Sequence, residues 1–296
     1  MDTNFIITIA LLFFIGFIFI TSVSIFMKDK KTVKPLWSLF FTVQIAAALI
    51  LVPAYMGKIP FFFAATFIAI KSQHELIRVI IVNPKPLFRN IALFLGIIVM
   101  VSGLTYPETA MLYLIPGGLF FLFLDIFRTD DPDRENEIKR LIFSLIYPVT
   151  FMAFFISLYK LNRGAELVPF FYLVSEVNNS FAQLMGRALG KKKIFPILSP
   201  NKTLAGLLWG MFFAMATGII VNHVTFGFNL YRLIPGIVLI IVGSILGDLI
   251  PSKIKRDHKV KDFGNFLPFH GGVLDIYDSV IFTAPFFYFY ARFFLS

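Results

Sequence analysis

The longest polar interval of this largely apolar chain runs from 252 to 278 and holds the residue types of a phosphoryl-transfer site. A His-Gly-Gly turn at 270–272 precedes the carboxylates Asp275 and Asp278, and Asp248 lies just upstream. The basic residues of the interval are Lys253, Lys255, Arg256, Lys259 and Lys261. Cations can hold phosphate, glycines let backbone N–H groups approach it, and carboxylates can hold a divalent metal. The alternative is a basic cytoplasmic loop that only fixes membrane orientation.

A second polar segment, 199–203, places Lys202 and Thr203 directly before an apolar run. The Ser-Pro turn that begins at Ser199 therefore leads to the start of a helix. Free N–H groups and the helix dipole favour an anion at such a position. The segment is not a Walker motif, and the absence of a βαβ pattern argues against a dinucleotide-binding fold.

The elements that position these residues are predicted to be membrane-spanning helices. Hydrophobic residues make up 58% of the chain and charged residues 15%, and the mean hydropathy is +0.82. Because many apolar runs reach the roughly 20 residues that cross a bilayer, we predict an all-α integral membrane protein, a polytopic bundle of about ten (8–10) transmembrane helices with short loops. The candidate spans are 4–27, 36–56, 60–82, 91–106, 108–127, 141–159, 168–189, 203–222, 230–250 and 275–295.

Composition also limits the partners. The net charge of +10 is explained by basic loops that face anionic membrane lipids, so no nucleic acid is expected. The chain has no cysteine, which excludes disulfides and thiolate metal sites. The first 27 residues lack a basic n-region and an A-x-A-like site, so a cleavable signal is not expected. The oligomeric state is left open, a homodimer included.

Basic loops alternate along the chain and predict its orientation. They lie at 28–34, 83–90, 128–140, 187–202 and 252–262, and ten spans would place all of them on one side. The positive-inside rule makes that side the cytoplasm. We therefore expect a single membrane domain, 1–296, with every phosphate-binding candidate on the side where nucleotides are found.

Two predicted spans carry polar residues that share one helical face. In 60–82 these are Lys71, Glu75 and Arg78, either a neutralised cluster near the boundary or part of a site. In 168–189 the stripe contains Glu176, Asn179, Ser180, Gln183 and Arg187. Interhelical hydrogen bonding is one reading of the second stripe, but its density favours the wall of a polar cavity. The isolated Asp125 is expected to pair with Arg128.

With these motifs in place, the C-terminal half resembles the phosphatidate cytidylyltransferases, also called CDP-diacylglycerol synthases. The resemblance covers about 170–285, so 166–296 is expected to be the catalytic half and 1–165 to hold helices of unassigned role. The matching positions are Ser199 to Thr203, Gly247-Asp248, Ser252, Lys255-Arg256, Lys261-Asp262, His270-Gly271-Gly272, Asp275 and Asp278.

The chain departs from the family pattern at several positions. Asn179 stands where the family usually has Asp, Leu204 and Ala205 replace Trp-Glu, and Ile276 replaces an Arg between the late carboxylates. These changes remove two carboxylates and a guanidinium from the presumed site, which places the usual substrate or full activity in question.

The resemblance implies a reaction that joins CTP and phosphatidate to give CDP-diacylglycerol and pyrophosphate, with Mg²⁺ and room for a second, monovalent or divalent, cation. Asp248 and Asp275 are implied as metal ligands, and Asp278 as an auxiliary ligand or an orienter of basic residues. Lys255, Arg256, Lys261 and Asp278 form the implied catalytic set. The implied substrate-binding set is Ser199, Lys202, Thr203, Ser252, His270, Gly271, Gly272, Asn179 and Gln183. The expected location is a bacterial inner membrane, with the active site facing the cytoplasm.

Two alternatives stay open at the level of the sequence. The departures would suit a diverged paralogue that acts on another lipid phosphate or has little activity. Buried charge and broken spans would also suit a transporter or scaffold, although no repeated halves are found in the sequence.

Overall fold

A computed structural model describes residues 17, 21, 30–81, 83–105, 132–196, 198–267 and 271–295, and these are mostly helical. The elements that matter for the site are named in chain order. They are α1 (Lys30–Met56), α2 (Lys58–Ile80), α3 (Pro86–Thr105), α4 (Pro132–Ser144), α5 (Phe151–Leu158), α6 (Gly164–Leu189), β1 (Lys193–Phe195), β2 (Ser199–Thr203), α7 (Leu204–Val221), α8 (Leu230–Asp257) and α9 (Val273–Phe294).

Four helical stretches of the described residues are long and apolar enough to cross a membrane: Pro86–Thr105, Glu137–Leu158, Leu204–Phe226 and Leu230–Asp257. Most of the predicted spans coincide with a described helix, so the helical membrane class is supported, while the count of about ten spans is not confirmed. The spans 4–27 and 108–127, and the pair Asp125 and Arg128, lie outside the described residues, apart from the helical positions 17 and 21.

The sequence marks where several helices begin and bend. Thr203 caps α7 by accepting the N–H of Gly206, and Asn229 caps α8 by accepting the N–H of Tyr231. A π-helical segment, Leu145–Thr150, joins α4 to α5, and the backbone of Tyr147 inside it is extended. Pro148 follows directly and supplies no N–H, which explains why regular hydrogen bonding is interrupted there.

Close helix packing brings the two carboxylate-bearing helices together. A Cβ atom on Gly247 of α8 would lie 2.7 Å from the Cα atom of Ser279 on α9. Only glycine permits this approach, as small residues do between membrane helices generally. Deeper in the bundle, Phe171 of α6 stacks on Phe287 of α9 with ring centroids 5.1 Å apart. Asp248 and Asp278 are therefore set beside a tight helix crossing.

Two expectations about local structure were wrong. The segment from 252 was predicted as a loop, but α8 continues to Asp257 and carries Ser252, Lys255 and Arg256 on its last turns. The fall in hydropathy there marks where apolar surface ends, and the helix hydrogen bonds continue beyond it. The all-α prediction also missed a two-stranded antiparallel sheet, in which Lys193 of β1 pairs with Thr203 of β2. Three and five residues leave too little pattern to detect.

Candidate active site

A polar cavity of about 430 Å³ opens where α1, α6, the β1–β2 hairpin, α8 and α9 meet. Most of the site residues predicted from the sequence line it. They are Asn179, Gln183, Ser199, Lys202, Thr203, Asp248, Ser252, Lys255, Arg256, Lys261, Asp275 and Asp278. The structure thus brings together residues separated by up to a hundred positions in the chain.

Two ion pairs link the elements around this cavity. Lys202 Nζ lies 2.7 Å from Asp248 Oδ2, which ties β2 to α8. Lys255 Nζ lies 2.6 Å from Asp275 Oδ1, which ties the end of α8 to the start of α9. The second pair is the more buried, with the Asp275 side chain only 6% exposed. Both lysines are therefore held at the cavity wall before any ligand arrives.

Asp275 also organises the connection between α8 and α9. Its Oδ2 atom accepts the backbone N–H groups of Phe263 and Gly272, each at 2.8 Å. Gly271 has a left-handed backbone (φ 77°), and a Cβ atom there would lie 2.6 Å from the same oxygen. Gly271 and Gly272 do not line the cavity, so in this geometry they let the chain pass beneath the Asp275 carboxylate. His270 lies outside the described residues.

Asp278 is buried at 6% exposure and lies within electrostatic reach of both ion pairs. Its Oδ1 atom accepts the N–H of Ser279, at 2.5 Å. Its Oδ2 atom accepts no hydrogen bond from the described residues, and among these residues Asp278 forms no ion pair. The expected role as an orienter of basic side chains is therefore not seen, whereas one carboxylate oxygen is left for a ligand.

The polar stripe of α6 forms one wall, as the sequence predicted. Glu176, Asn179, Ser180 and Gln183 all line the cavity, and the Ser180 hydroxyl donates to Glu176 Oε1 at 2.8 Å. Arg187, the last member of the predicted stripe, is not among the lining residues. Four residues of the stripe therefore form a wall of the cavity, and Arg187 lies outside it.

Two of the departures from the family pattern, Asn179 and Ile276, fall on the walls of this cavity. Asn179 Nδ2 donates to the Ser279 hydroxyl at 2.9 Å, which places Asn179 next to Asp278. Ile276 lines the cavity between Asp275 and Asp278. Leu204 is exposed at the start of α7, and Ala205 is half-buried beside it. Asn179 and Ile276 thus stand at the cavity where the family pattern carries charge, whereas Leu204 and Ala205 are not among its lining residues.

Glu75 of α2, which the sequence left open between a neutralised cluster and a site residue, packs against the start of α9 and does not line this cavity. Its side chain is 4% exposed, and Oε2 accepts the N–H of Leu274 in the first turn of α9 at 3.0 Å. It also accepts the N–H of Val273. A Cβ atom on Gly272 would lie 2.3 Å from Oε2, so the chain is packed directly on this carboxylate. A carboxylate at a helix N-terminus is stabilising.

Of the two readings that the sequence left open, direct pairing of Glu75 with Lys71 and Arg78 is not observed, although Lys71 lies within electrostatic reach of the Glu75 carboxylate. Glu75 faces the start of α9, and among the described residues it forms no ion pair with either cation. The only signal in the sequence was an acidic residue inside an apolar span. Its partner lies 199 positions away, a separation that no local spacing rule reaches.

The donor set around the cavity suits a hard cation that shares its ligands with phosphate. Asp248, Asp275 and Asp278 supply carboxylate oxygens, the atoms that Mg²⁺ prefers. Within the described ranges, no three His, Asp or Glu groups lie close enough to hold a metal by themselves. A Mg²⁺ ion at this cavity would therefore need the phosphates of the substrate as ligands beside one or two carboxylates.

Comparisons with known proteins agree with this geometry. The chain matches the cytidylyltransferase family over residues 37–294, which extends the likeness to the helices before the polar motifs. It is 32% identical over 247 residues to the uncharacterized protein YnbB of Escherichia coli, covering 81% of this chain and 80% of that protein. It is 35% identical over 158 residues to the phosphatidate cytidylyltransferase of Bacillus subtilis, covering 52% of this chain and 58% of that enzyme.

The same enzyme of Staphylococcus haemolyticus is 35% identical over 125 residues, or 42% of this chain and 48% of that enzyme. The chain thus spans about half the length of the named enzymes that it matches. The family match favours an enzyme over the transporter or scaffold that the sequence left open. From the extent of that match and the cavity that its residues form, the chain belongs to the cytidylyltransferase family and is a nucleotidyltransferase of the membrane.

Proposed function

We propose that this protein transfers a cytidylyl group from CTP to phosphatidate, giving CDP-diacylglycerol and pyrophosphate in a Mg²⁺-dependent reaction. The observation that carries the proposal is the convergence of cations and carboxylates on one cavity. Lys202, Lys255, Arg256 and Lys261 face Asp248, Asp275 and Asp278 there. Opposite charges in one cavity suit a reaction between two polyanions bridged by a divalent cation.

The lipid phosphate needs no strong general base to act as the nucleophile. A phosphate monoester has a second pKa of about 6, so the group is largely dianionic near neutral pH. One of its oxygens attacks the α-phosphorus of CTP, and the bond from that phosphorus to the bridging oxygen of pyrophosphate breaks. The pyrophosphate leaves with the electron pair. What the protein must supply is charge stabilisation and alignment.

The cationic side chains divide by burial. Lys202 and Lys255 are partly buried and held by Asp248 and Asp275, so we assign them to the phosphates closest to the reacting centre. Arg256 and Lys261 are exposed at the rim, where they can contact the outer phosphates. Mg²⁺ held by Asp248 and Asp275, with Asp278 as the auxiliary ligand, would neutralise charge on the phosphoryl groups.

The lipid is placed by the apolar side of the cavity. Thr42, Val43 and Ala46 of α1 complete the wall opposite the hairpin. Phe41 and Ile45, on the same helix, are exposed, as lipid-facing side chains would be. We propose that the acyl chains stay in the bilayer beside α1 while the phosphate enters the cavity from the cytoplasmic side.

A second candidate keeps the chemistry and changes the acceptor. Ile276 and Asn179 each replace a charged group of the family pattern, one cation and one carboxylate. In addition, the longest alignment reported above is to a protein without an assigned activity. An enzyme that uses another lipid phosphate would fit both observations.

The test is an activity assay on the purified protein in detergent, with labelled CTP, Mg²⁺ and phosphatidate. Labelled CDP-lipid above a heat-inactivated control is expected, and the Asp275→Asn variant should form far less of it. Product formed only with a different lipid phosphate would favour the second candidate. No labelled lipid product with any phosphate acceptor would reject both.

A further inference from the structure

A second cavity, of about 530 Å³, lies on the other side of the connection between α8 and α9. We call it the basic cavity, because α2 contributes Lys71, His74 and Arg78, together with the single carboxylate Glu75, to one wall. The opposite wall is formed by residues 260 and 262–266. Asp262 lines both cavities, so this segment separates the basic cavity from the catalytic one. The volume is in the range of small-ligand sites.

The cations of the basic cavity lack the partners that the catalytic cations have. Among the described residues, neither Lys71 nor Arg78 forms an ion pair or donates a hydrogen bond. Arg89 adds a further positive charge within electrostatic reach of His74. Lys71 is half-buried, which is costly for a lysine unless an anion or water compensates its charge, whereas Arg78 is exposed.

Two carboxylates, Glu75 and Asp262, also line this cavity, and Lys71 lies within electrostatic reach of Glu75. Neither carboxylate forms an ion pair with Lys71 or Arg78 among the described residues. The Glu75 carboxylate is committed to the N–H groups at the start of α9. Asp262 is exposed on the segment between the two cavities and forms no ion pair with a described residue. An arginine fork combined with a lysine point charge is a typical arrangement for binding phosphate.

We infer that the basic cavity is a second anion site, separate from the catalytic cavity, and that it takes a phosphate group held by Lys71 and Arg78. The group can belong to a lipid headgroup or to free phosphate, since both present the same oxygens. This inference rests on the α2 cations and holds whatever nucleotide or lipid the enzyme turns over.

An anion in this cavity would touch the segment that fixes Asp275. The N–H of Phe263 donates to Asp275 Oδ2 on the catalytic side, and the Phe263 ring lies 5.6 Å from Lys255 Nζ. The same residue lines the basic cavity. Occupancy of the second site is therefore mechanically connected to the buried ion pair of the first.

The test measures amine labelling of Lys71 in the full-length protein, quantified by mass spectrometry against Lys191, which is exposed and lines neither cavity. Maltoside micelles without phosphate give the baseline. One arm adds inorganic phosphate, a second adds phosphatidylglycerol, and a third adds neutral diacylglycerol as a control. We expect protection of Lys71 relative to Lys191, by roughly threefold or more at saturating ligand. Protection in the phosphate arm identifies free phosphate, and protection only in the phosphatidylglycerol arm identifies a lipid headgroup.

Arg78→Gln removes half of the proposed site and leaves Lys71 as the reporter, so protection should disappear in this variant. Arg187→Gln, which removes an exposed cation outside both cavities, should keep it. A parallel measurement of thermal unfolding should show stabilisation by the same ligand in the wild type and in Arg187→Gln, reduced in Arg78→Gln. Equal ligand stabilisation in all three proteins, or protection of Lys71 that persists in Arg78→Gln, overturns the inference. Absence of both protection and stabilisation in every arm overturns it as well.

Discussion

The two cavities on either side of residues 260–266 contain similar cations in opposite electrostatic settings. In the catalytic cavity, Lys202 and Lys255 each contact a carboxylate within 2.7 Å. In the basic cavity, no described carboxylate pairs with Lys71 or Arg78. One cavity is balanced before substrate arrives and can accept a metal together with an anion. The other is lined by Glu75 and Asp262 as well, but its cations form no ion pair with a described carboxylate, and it is the proposed anion site.

The difference shows that the number of basic residues does not identify a catalytic site. Both groups of cations lie near the ends of apolar helices, where a basic cluster usually reports membrane orientation. What separates them is the carboxylates that other elements bring within contact. Catalysis between two polyanions requires these carboxylates, because metal binding and the positions of the lysines depend on them.

Removal of a carboxylate from the balanced cavity should have the largest effect. Asp275→Asn leaves Lys255 without its partner and takes one proposed metal ligand away. We expect turnover of CTP into lipid to fall by roughly 10²–10³-fold, the range seen when one electrostatic contact to a transition state is lost. The measurement is transfer of label from CTP to the lipid fraction.

Asp257→Asn is the matched control for this variant. It breaks the exposed pair of Asp257 with Lys253, at 2.9 Å near the end of α8, the helix that carries Lys255. Exposed pairs contribute about 0–1 kcal/mol, so little change is expected. Equal losses in the two variants would show that Asp275 has no special part in the reaction.

The next largest effect is expected from Glu75, which stands between the two cavities. Glu75→Gln keeps the size of the side chain but removes the negative charge that faces the start of α9. Because α9 carries Asp275 and Asp278, we expect turnover to fall by about 10–100-fold, as for other residues that position a metal ligand. The Mg²⁺ concentration that gives half-maximal activity should rise.

Glu137→Gln, on a half-exposed glutamate of α4, serves as the control. The Mg²⁺ response separates positioning from simple stability, since a destabilised protein would lose activity at every Mg²⁺ concentration alike. A normal Mg²⁺ response in Glu75→Gln, with activity lost only in proportion to unfolded protein, would reduce Glu75 to a structural residue.

A smaller change, in the opposite direction, is expected when the family charges are restored to the balanced cavity. Ile276 and Asn179 both line the catalytic cavity. The double variant Ile276→Arg, Asn179→Asp therefore adds one cation and one carboxylate to its walls. We expect turnover with phosphatidate to rise by about tenfold, equivalent to about 1.4 kcal/mol of barrier. Ile276→Met with native Asn179 changes the shape without the charge and should not increase turnover. A fall in the double variant would indicate that the cavity has been rebuilt for another substrate.

The smallest effect is expected at the start of α7, where the buried Thr203 caps the helix beside the catalytic cavity. Thr203→Ala removes the acceptor for the N–H of Gly206 and should lower stability by about 1 kcal/mol. Thr203→Ser keeps the acceptor and should retain most of the stability. Denaturant unfolding in detergent measures both variants. Equal stability of Thr203→Ala and wild type would show that the cap contributes nothing to this membrane helix.

Much of the architecture was predictable from local sequence. Runs of apolar residues identified the helices, because a chain in a bilayer has to satisfy its backbone hydrogen bonds internally. The stripe of α6 was assigned to a cavity wall because polar groups cannot face lipid. Thr203 was placed correctly at a helix start from the Lys-Thr pair before an apolar run. Each of these inferences uses only neighbours within a few turns.

The errors arose where a change in hydropathy does not coincide with a change in backbone hydrogen bonding. The last turns of α8 are polar, so the sequence placed Lys255 and Arg256 in a loop, although the helix continues to Asp257. The β1–β2 hairpin was missed because its strands are too short to show alternation. In both places backbone hydrogen bonds determine the secondary structure, whereas residue composition indicates only whether a segment is exposed to solvent or to an apolar environment.

The sequence by itself determined the helical membrane class and the family to which the motifs pointed, because side-chain hydropathy and fixed local spacing are both written along the chain. The tertiary structure decided which charges meet. Lys202 forms an ion pair with Asp248, and Glu75 accepts a backbone N–H at the start of α9. Lys71 and Arg78 form no ion pair with a described residue. Electrostatic interactions depend on distance in space and on burial, and neither quantity can be read from positions in a sequence.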